Sequence, residues 1–261
     1  MLTLFLSASV PSQARAERFR RHLNAAFEIE QAVISLARAI FARGGRLVFG
    51  GHPTISPLVA MVAGEYRKPR RAESGEESAP ASVVIYQSEA FREHVEEATL
   101  LIYTLESTRI EWVPAIGDER FDPKLPRGQP QCPLSLEAMR RRMLTETEPH
   151  AMVCIGGMEG VLKEAELFNE LYPGHPIYVL EATGGAAAEL AATGGSRVKV
   201  VDVELLDDLA RRRADAPPPR GSDDSPFPVP KRVGEEEGPV IPYPLIFQTL
   251  VAQLMEGRDR G

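Results

Sequence analysis

AMVCIGGMEGVLKEAELF, residues 151–168, runs a short apolar stretch into a glycine pair and then into helical spacing. Val161, Leu162, Ala165 and Phe168 recur at intervals of three and four, so the segment reads as strand, tight turn and helix. The apolar stretch shows no polar alternation, which marks a strand buried on both faces, as in a parallel sheet covered on each side. The same plan recurs along the chain. LTLFLSASVP predicts a strand over 2–7 that ends in small polar residues. Val33, Ile34, Ala37, Ile40 and Phe41 then define a helix over 28–43, closed by Gly44 and Gly45. RLVFGGHPTISPLV gives a strand over 46–49, a Gly50-Gly51 turn and a helix from Ser56, with Pro57 at its first position. ASVVIYQ and TLLIYTLES are strand-like, PIYVLEATGGAAAELAA repeats strand, turn and helix, and SRVKVVDVELL adds a final strand. Strands alternating with helices at this spacing predict an α/β domain of three layers, a mainly parallel sheet between two helical layers.

Three segments break the rhythm. KPRRAESGEESAP, 68–80, is a charged insertion, and 216–238 is a linker rich in proline and acids; both lack the apolar periodicity of a packed element. The third, 113–135, is a proline-rich irregular loop. The domain is therefore expected to span 1–215. Residues 239–261 then form a C-terminal helix that docks on the domain or on a partner subunit through Leu245, Leu250, Val251 and Leu254.

The 261 residues carry a formal net charge of −7, which disfavours a duplex nucleic-acid binder, since that mode needs clustered Lys and Arg. No apolar run reaches the ~18–20 residues of a membrane span, and the N-terminus lacks a basic leader, so a soluble cytoplasmic protein is expected. Cys132 and Cys154 show no metal-ligand spacing, and neither a metal nor a cofactor is indicated.

In an open parallel sheet, ligands gather at the carboxyl ends of the strands, where the strand order reverses. Gly50-Gly51, Gly156-Gly157 and Gly184-Gly185 all fall on strand-to-helix turns at that edge. There a missing side chain lets backbone N–H groups approach an anion, and the following helix presents its positive end. A tight corner that binds nothing uses glycine equally well. Ser7 and Ser9, His52, Met158, Gly160 and Thr183 belong to the same edge and join the glycines as candidate ligand-binding residues. Glu159 stands inside the turn, where a carboxylate repels phosphate; contact with ribose or base suits it better. No GxxxxGK[ST] occurs and the first turn reads SASVP, which removes a Walker-type NTPase and a standard dinucleotide fingerprint.

FLSASVP, LVFGGHPTISPLV, AMRRRM and VCIGGMEGVLKE together resemble the SLOG superfamily. This Rossmann-like group joins the DNA-processing protein A fold with the LOG phosphoribohydrolases. The likeness spans most of residues 1–205 and implies a Rossmann-like fold. It is greatest with the nucleotide-sensing branch of bacterial conflict systems. LOG enzymes carry PGGxGTxxE, with an arginine on the preceding helix that works with the glutamate to cleave an N-glycosidic bond. Here Ile155 stands for the proline, Gly156 and Gly157 match the glycine pair, Gly160 falls one residue late, and Val161 replaces the threonine. Glu164 matches the glutamate, and Arg140, with Arg142 close behind, the arginine.

Two functions follow from the resemblance. One is a sensor of a nucleotide or NAD-derived ligand in a bacterial defence system, working as a homo-oligomer or through a separate effector protein. The other is a phosphoribohydrolase or related nucleotide N-glycosidase with Arg140 and Glu164 as catalytic residues. A structural protein whose glycine turns bind nothing is the third.

Overall fold

A computed structural model describes residues 1–11, 19, 25–66, 82–95, 97–102, 105, 107–125, 129, 131–201 and 241–259. The expected insertion at 68–80 and the linker at 216–238 lie outside these residues. Seven parallel strands form one sheet: β1 (Thr3–Ser9), β2 (Arg46–Gly50), β3 (Val83–Ser88), β4 (Thr108–Val113), β5 (Ala151–Gly156), β6 (Ile177–Leu180) and β7 (Val198–Val200). Their order is β4-β3-β2-β1-β5-β6-β7. The chain steps outward from β1 to β4, crosses back, and starts again on the other side of β1. Helices α1 (Ala25–Phe41) and α2 (Ile55–Glu65) cover one face, while α4 (Pro133–Thr147), α5 (Glu159–Leu171) and α6 (Gly185–Thr193) cover the other. Right-handed crossovers require this change of face when the stepping direction reverses. This is the Rossmann-like α/β architecture, and its switch point lies between β1 and β5.

Alternate side chains of each strand feed two separate cores. Leu4 and Leu6 point with Val153 and Ile155 toward α1, and Phe5 points with Met152 and Cys154 toward α5. All seven are buried, which explains the apolar runs at 4–6 in β1 and 151–155 in β5.

One strand lies elsewhere than the sequence predicts. TLLIY belongs largely to a short helix, α3 (Glu97–Ile102), whose Leu100 and Leu101 are exposed, and the strand that completes this side is TRIEWV, β4. An edge strand pairs on one side only and tolerates charge, so Arg109 and Glu111 sit in it as an ion pair at 2.8 Å. Its β-branched and aromatic residues carried the strand signal, which the stronger hydrophobicity of TLLIY masked. The loop that follows returns to α4. There Glu119 accepts from the N–H groups of Leu134 (3.1 Å) and Ser135 (2.7 Å), and Pro133 occupies the first turn. These contacts satisfy donors that a helix start leaves unpaired.

The C-terminal helix α7 (Tyr243–Asp259) packs on α1. Ile246, Phe247, Leu250 and Val251 are buried there, the Tyr243 hydroxyl lies 3.4 Å from Glu28, and Leu254 packs at the margin. Leu245, expected among the docking residues, is 44% exposed, and its place is taken by Phe247. Phe247 is wholly buried, so Phe247→Ala should lower stability by about 3–5 kcal/mol in urea unfolding.

Candidate functional site

Ser7 is the last wholly buried residue of β1 and faces the α4–α5 side of the sheet. Its hydroxyl donates to Glu164 Oε2 at 2.5 Å, and Arg140 Nε donates to Glu164 Oε1 at 3.1 Å. One carboxylate thus ties the central strand to α4 and α5, two of the three helices of this layer. The pair is largely withdrawn from water, with 11% of the Arg140 and 14% of the Glu164 side chain exposed. Both carboxylate oxygens of Glu164 are engaged, whereas the guanidinium has used only one of its five donors in this pair.

Arg140 also lines a cleft of about 110 Å³ between the start of α4 and the first turns of α5. Gln131, Glu137, Glu159, Gly160 and Lys163 are among its walls. Gly160 leaves room there, since a Cβ on it would lie 3.4 Å from Arg140 Nη2. A second cleft, about 350 Å³, opens on the far side of α5 between that helix and α6. Lys163, Leu162 and the α6 residues around Glu189 were not among the candidates. Lys163 was legible in principle, four residues after Glu159 and so on the same helix face.

The glycine turns do different work from the phosphate cradle expected of them. Gly156 N–H donates to Thr183 Oγ1 at 2.8 Å, and that hydroxyl donates onward to Leu180 O. Gly157 N–H donates to Ser9 O at 2.8 Å, and Gly157 O accepts from Ala186 N–H at 3.0 Å. Gly156, Gly157, Ser9 and Thr183 therefore form a backbone junction that locks the β1, β5 and α6 turns together. Its amides are spent internally. Gly156 and Gly157 have φ of +61° and +88°, and a Cβ at Gly157 would stand 2.2 Å from Val161. Gly184-Gly185 brings α6 to the same junction: a Cβ at Gly185 would fall 2.4 Å from Gly157 O.

The FGGHP turn follows β2, the neighbour of β1 in the sheet, and makes its own contacts. A Cβ at Gly50 would lie 3.3 Å from Met139 Cε of α4, and one at Gly51 would strike Gln87. His52 organises its own turn: its N–H donates to Ser56 Oγ at 3.0 Å and its Nδ1 accepts from Thr54 N–H at 3.2 Å. Neither cleft is lined by Gly50, Gly51 or His52. SAS and IGGMEG meet in the packing junction, FGGHP forms its own turn, and of these stretches Glu159 and Gly160 line the cleft beside Arg140. Met158, partly buried, precedes α5 and packs against the core of that face.

The runner-up arginine, Arg142, serves a different anchor. It donates to Glu146 at 2.7 Å, and Glu146 accepts in turn from the Tyr86 hydroxyl at 2.8 Å. The hydrogen bond from Arg142 holds the Glu146 carboxyl below the usual range despite some desolvation. Burial, then the hydrogen bond to Glu146 and its charge, push the Tyr86 phenol above its ordinary 10.0. Cys154 is wholly buried and its thiol is raised, first by burial and then by the Glu164 charge, which suits a packing residue and not a nucleophile. Cys132 is buried and also free of any disulfide. Among the described residues no cluster of His, Cys, Asp and Glu has the makings of a metal site, and no helix is long and apolar enough to cross a membrane.

A parallel sheet with its switch point at β1 and β5, flanked by helices on both faces, defines a Rossmann-like α/β protein, an architecture in which ligands ordinarily bind at the strand ends. The chain belongs to the SLOG cluster3 family, whose model matches residues 19–212. A crystal structure of TM1055, a structural-genomics target, is similar at 15% identity and a TM-score of 0.47, covering 81% of this chain and 99% of that one. No curated protein matches the chain in sequence.

The local geometry sets three expectations for stability. Gly157→Ala should cost at least 1–2 kcal/mol in thermal or urea unfolding, about the strain of a left-handed residue plus its clash. Gly160→Ala, inside a helix and free of a close contact, should be neutral or stabilising by up to about 1 kcal/mol. The raised Tyr86 pKa means that the fold favours the neutral phenol. That contribution is complete below the ordinary 10.0 and is lost as pH climbs beyond it. The stability gap between wild type and Tyr86→Phe should therefore shrink above pH 10 in unfolding curves recorded from neutral to alkaline buffer.

Proposed function

We propose that this protein binds a nucleotide or an NAD-derived nucleotide in the cleft beside Arg140 and acts as a cytoplasmic sensor in a bacterial defence system. The observation that carries this reading is the setting of Arg140. Glu164 fixes the guanidinium through Nε, while the same side chain lines a cleft at the carboxyl edge beside the first turn of α5. An arginine oriented in this way presents a planar set of donors that matches phosphate oxygens in pairs. Glu164 is a positioning residue here: both its oxygens accept from protein donors. The departure of IGGMEG from PGGxGT agrees with recognition in place of hydrolysis. Ligand binding would be transmitted through assembly of copies of the chain or through a separate effector protein.

The second reading, a nucleotide N-glycosidase, is favoured by one specific observation: the Arg140 and Glu164 side chains meet at 3.1 Å, as the resemblance to the LOG enzymes requires. Hydrolysis would need Glu164 to leave Ser7 and approach the ribose, where its charge would stabilise the developing oxocarbenium ion.

Incubation with nucleoside monophosphates, NAD and cyclic ADP-ribose isomers, followed by thermal shift and by chromatography for free base, separates the readings. The sensor predicts a shift with at least one nucleotide and no base release. Arg140→Ala should weaken that binding roughly ten- to hundredfold, the effect of losing hydrogen bonds to a charged group. Base released by wild type and abolished in Glu164→Gln would overturn the sensor in favour of the enzyme. No shift with any of these ligands would reject both.

A further inference from the structure

The cleft beside Arg140 measures about 110 Å³, well below the ~300 Å³ at which ligand pockets ordinarily begin. Its enclosed part suits a phosphate group or a sugar phosphate, and the rest of a nucleotide bound there extends beyond it. The second cleft, about 350 Å³, reaches that range, and Glu159 and Lys163 line both. The two spaces adjoin across the exposed edge of α5, with these two side chains between them.

Their chemistry differs. The shared Glu159 and Lys163 offset each other in both. The smaller space adds Arg140 and Glu137, the latter engaged with Arg141 at 3.4 Å. The larger adds the carboxylates of Glu166 and Glu189, together with apolar Leu162 and Leu190. Phosphate is therefore repelled more strongly from the second space and drawn by Arg140 to the first, which fixes the direction of a bound molecule. Carboxylates beside leucines suit the opposite end of a nucleotide: a flat heterocycle whose faces are apolar and whose exocyclic amine donates hydrogen bonds.

Resting on the reading of Arg140 as the phosphate contact, we infer that the site is bipartite. The phosphate of the ligand lies with Arg140 and Lys163, and an amino-bearing base lies across α5 in the groove toward α6. Glu159, which stands where a phosphate loop would be neutral, then marks the passage from phosphate to ribose. Glu166 and Glu189 are the residues that select the base.

Calorimetric titration with adenosine 5′-monophosphate, inosine 5′-monophosphate and ribose 5-phosphate tests this. Wild type should bind the adenosine nucleotide roughly tenfold or more tightly than the other two, since inosine turns a donor into an acceptor facing carboxylates and the sugar phosphate reaches only the first space. Glu166→Gln combined with Glu189→Gln should remove most of the preference for adenosine over inosine. Thr193→Trp, at an exposed position lining the groove, should block the base and bring adenosine 5′-monophosphate down to the level of ribose 5-phosphate, whose own binding stays unchanged. If adenosine 5′-monophosphate binds in an Arg140-dependent way but ignores all these α5–α6 substitutions, the bipartite site is wrong and the Arg140 site stands. If neither nucleotide nor sugar phosphate binds to wild type, both are wrong.

Discussion

The carboxylate of Glu164, held between Ser7 and Arg140, is the constraint on which the carboxyl edge of this sheet depends. It joins the central strand to α4 and α5, the two helices that meet beyond the switch point. A pair this deeply withdrawn from water is not a ready source of stability, because desolvation offsets much of the attraction. What it supplies is orientation. With Nε anchored, the rest of the guanidinium has a fixed plane, and the cleft beside it has a fixed chemical character.

The glycines answer to a different demand. At 156 and 185 the end of β1 and the β5 and α6 turns come together more closely than a side chain would permit, and at 157 a side chain would meet Val161. The amides that might have met a phosphate hydrogen-bond instead to Ser9 and Thr183. Gly160 alone, in the first turn of α5, keeps space beside Arg140. Position in a turn therefore does not tell a ligand glycine from a packing glycine. The neighbours of the absent Cβ do: Val161 of the next helical turn for Gly157, but Ile29 for Gly156 and Gly157 O for Gly185, both from more distant parts of the chain.

Much of the fold was legible because its signals are local. Apolar runs at 4–6 and 151–155 need two covered faces, and the spacing in α1 and α5 is that of one buried helical stripe. The failure came at the sheet's edge. TLLIY is apolar enough for a central strand, yet the position beside β3 went to TRIEWV, whose charged residues only an edge accepts. Arg140 and Glu164 could be picked out, because the resemblance supplied the pairing of residues 24 apart. Arg142 was nearly as good a choice by sequence; helix rotation decided, turning it toward Glu146 and Tyr86.

By itself, then, the sequence determined the alternation of strands and helices, the two-faced burial of the central strands and the carriers of charge near the glycine turns. All of these follow from hydrophobic period and residue type within a few positions. The tertiary structure decided which groups remain for a ligand. Hydrogen bonds across long sequence separations consumed the Gly156 and Gly157 amides, the Thr183 hydroxyl and both oxygens of Glu164. They left Arg140 beside one cleft, with a second on the far side of α5 that shares Glu159 and Lys163 with it. Hydrogen-bonding capacity belongs to a residue, but its use depends on which partner the packing of distant elements brings within reach.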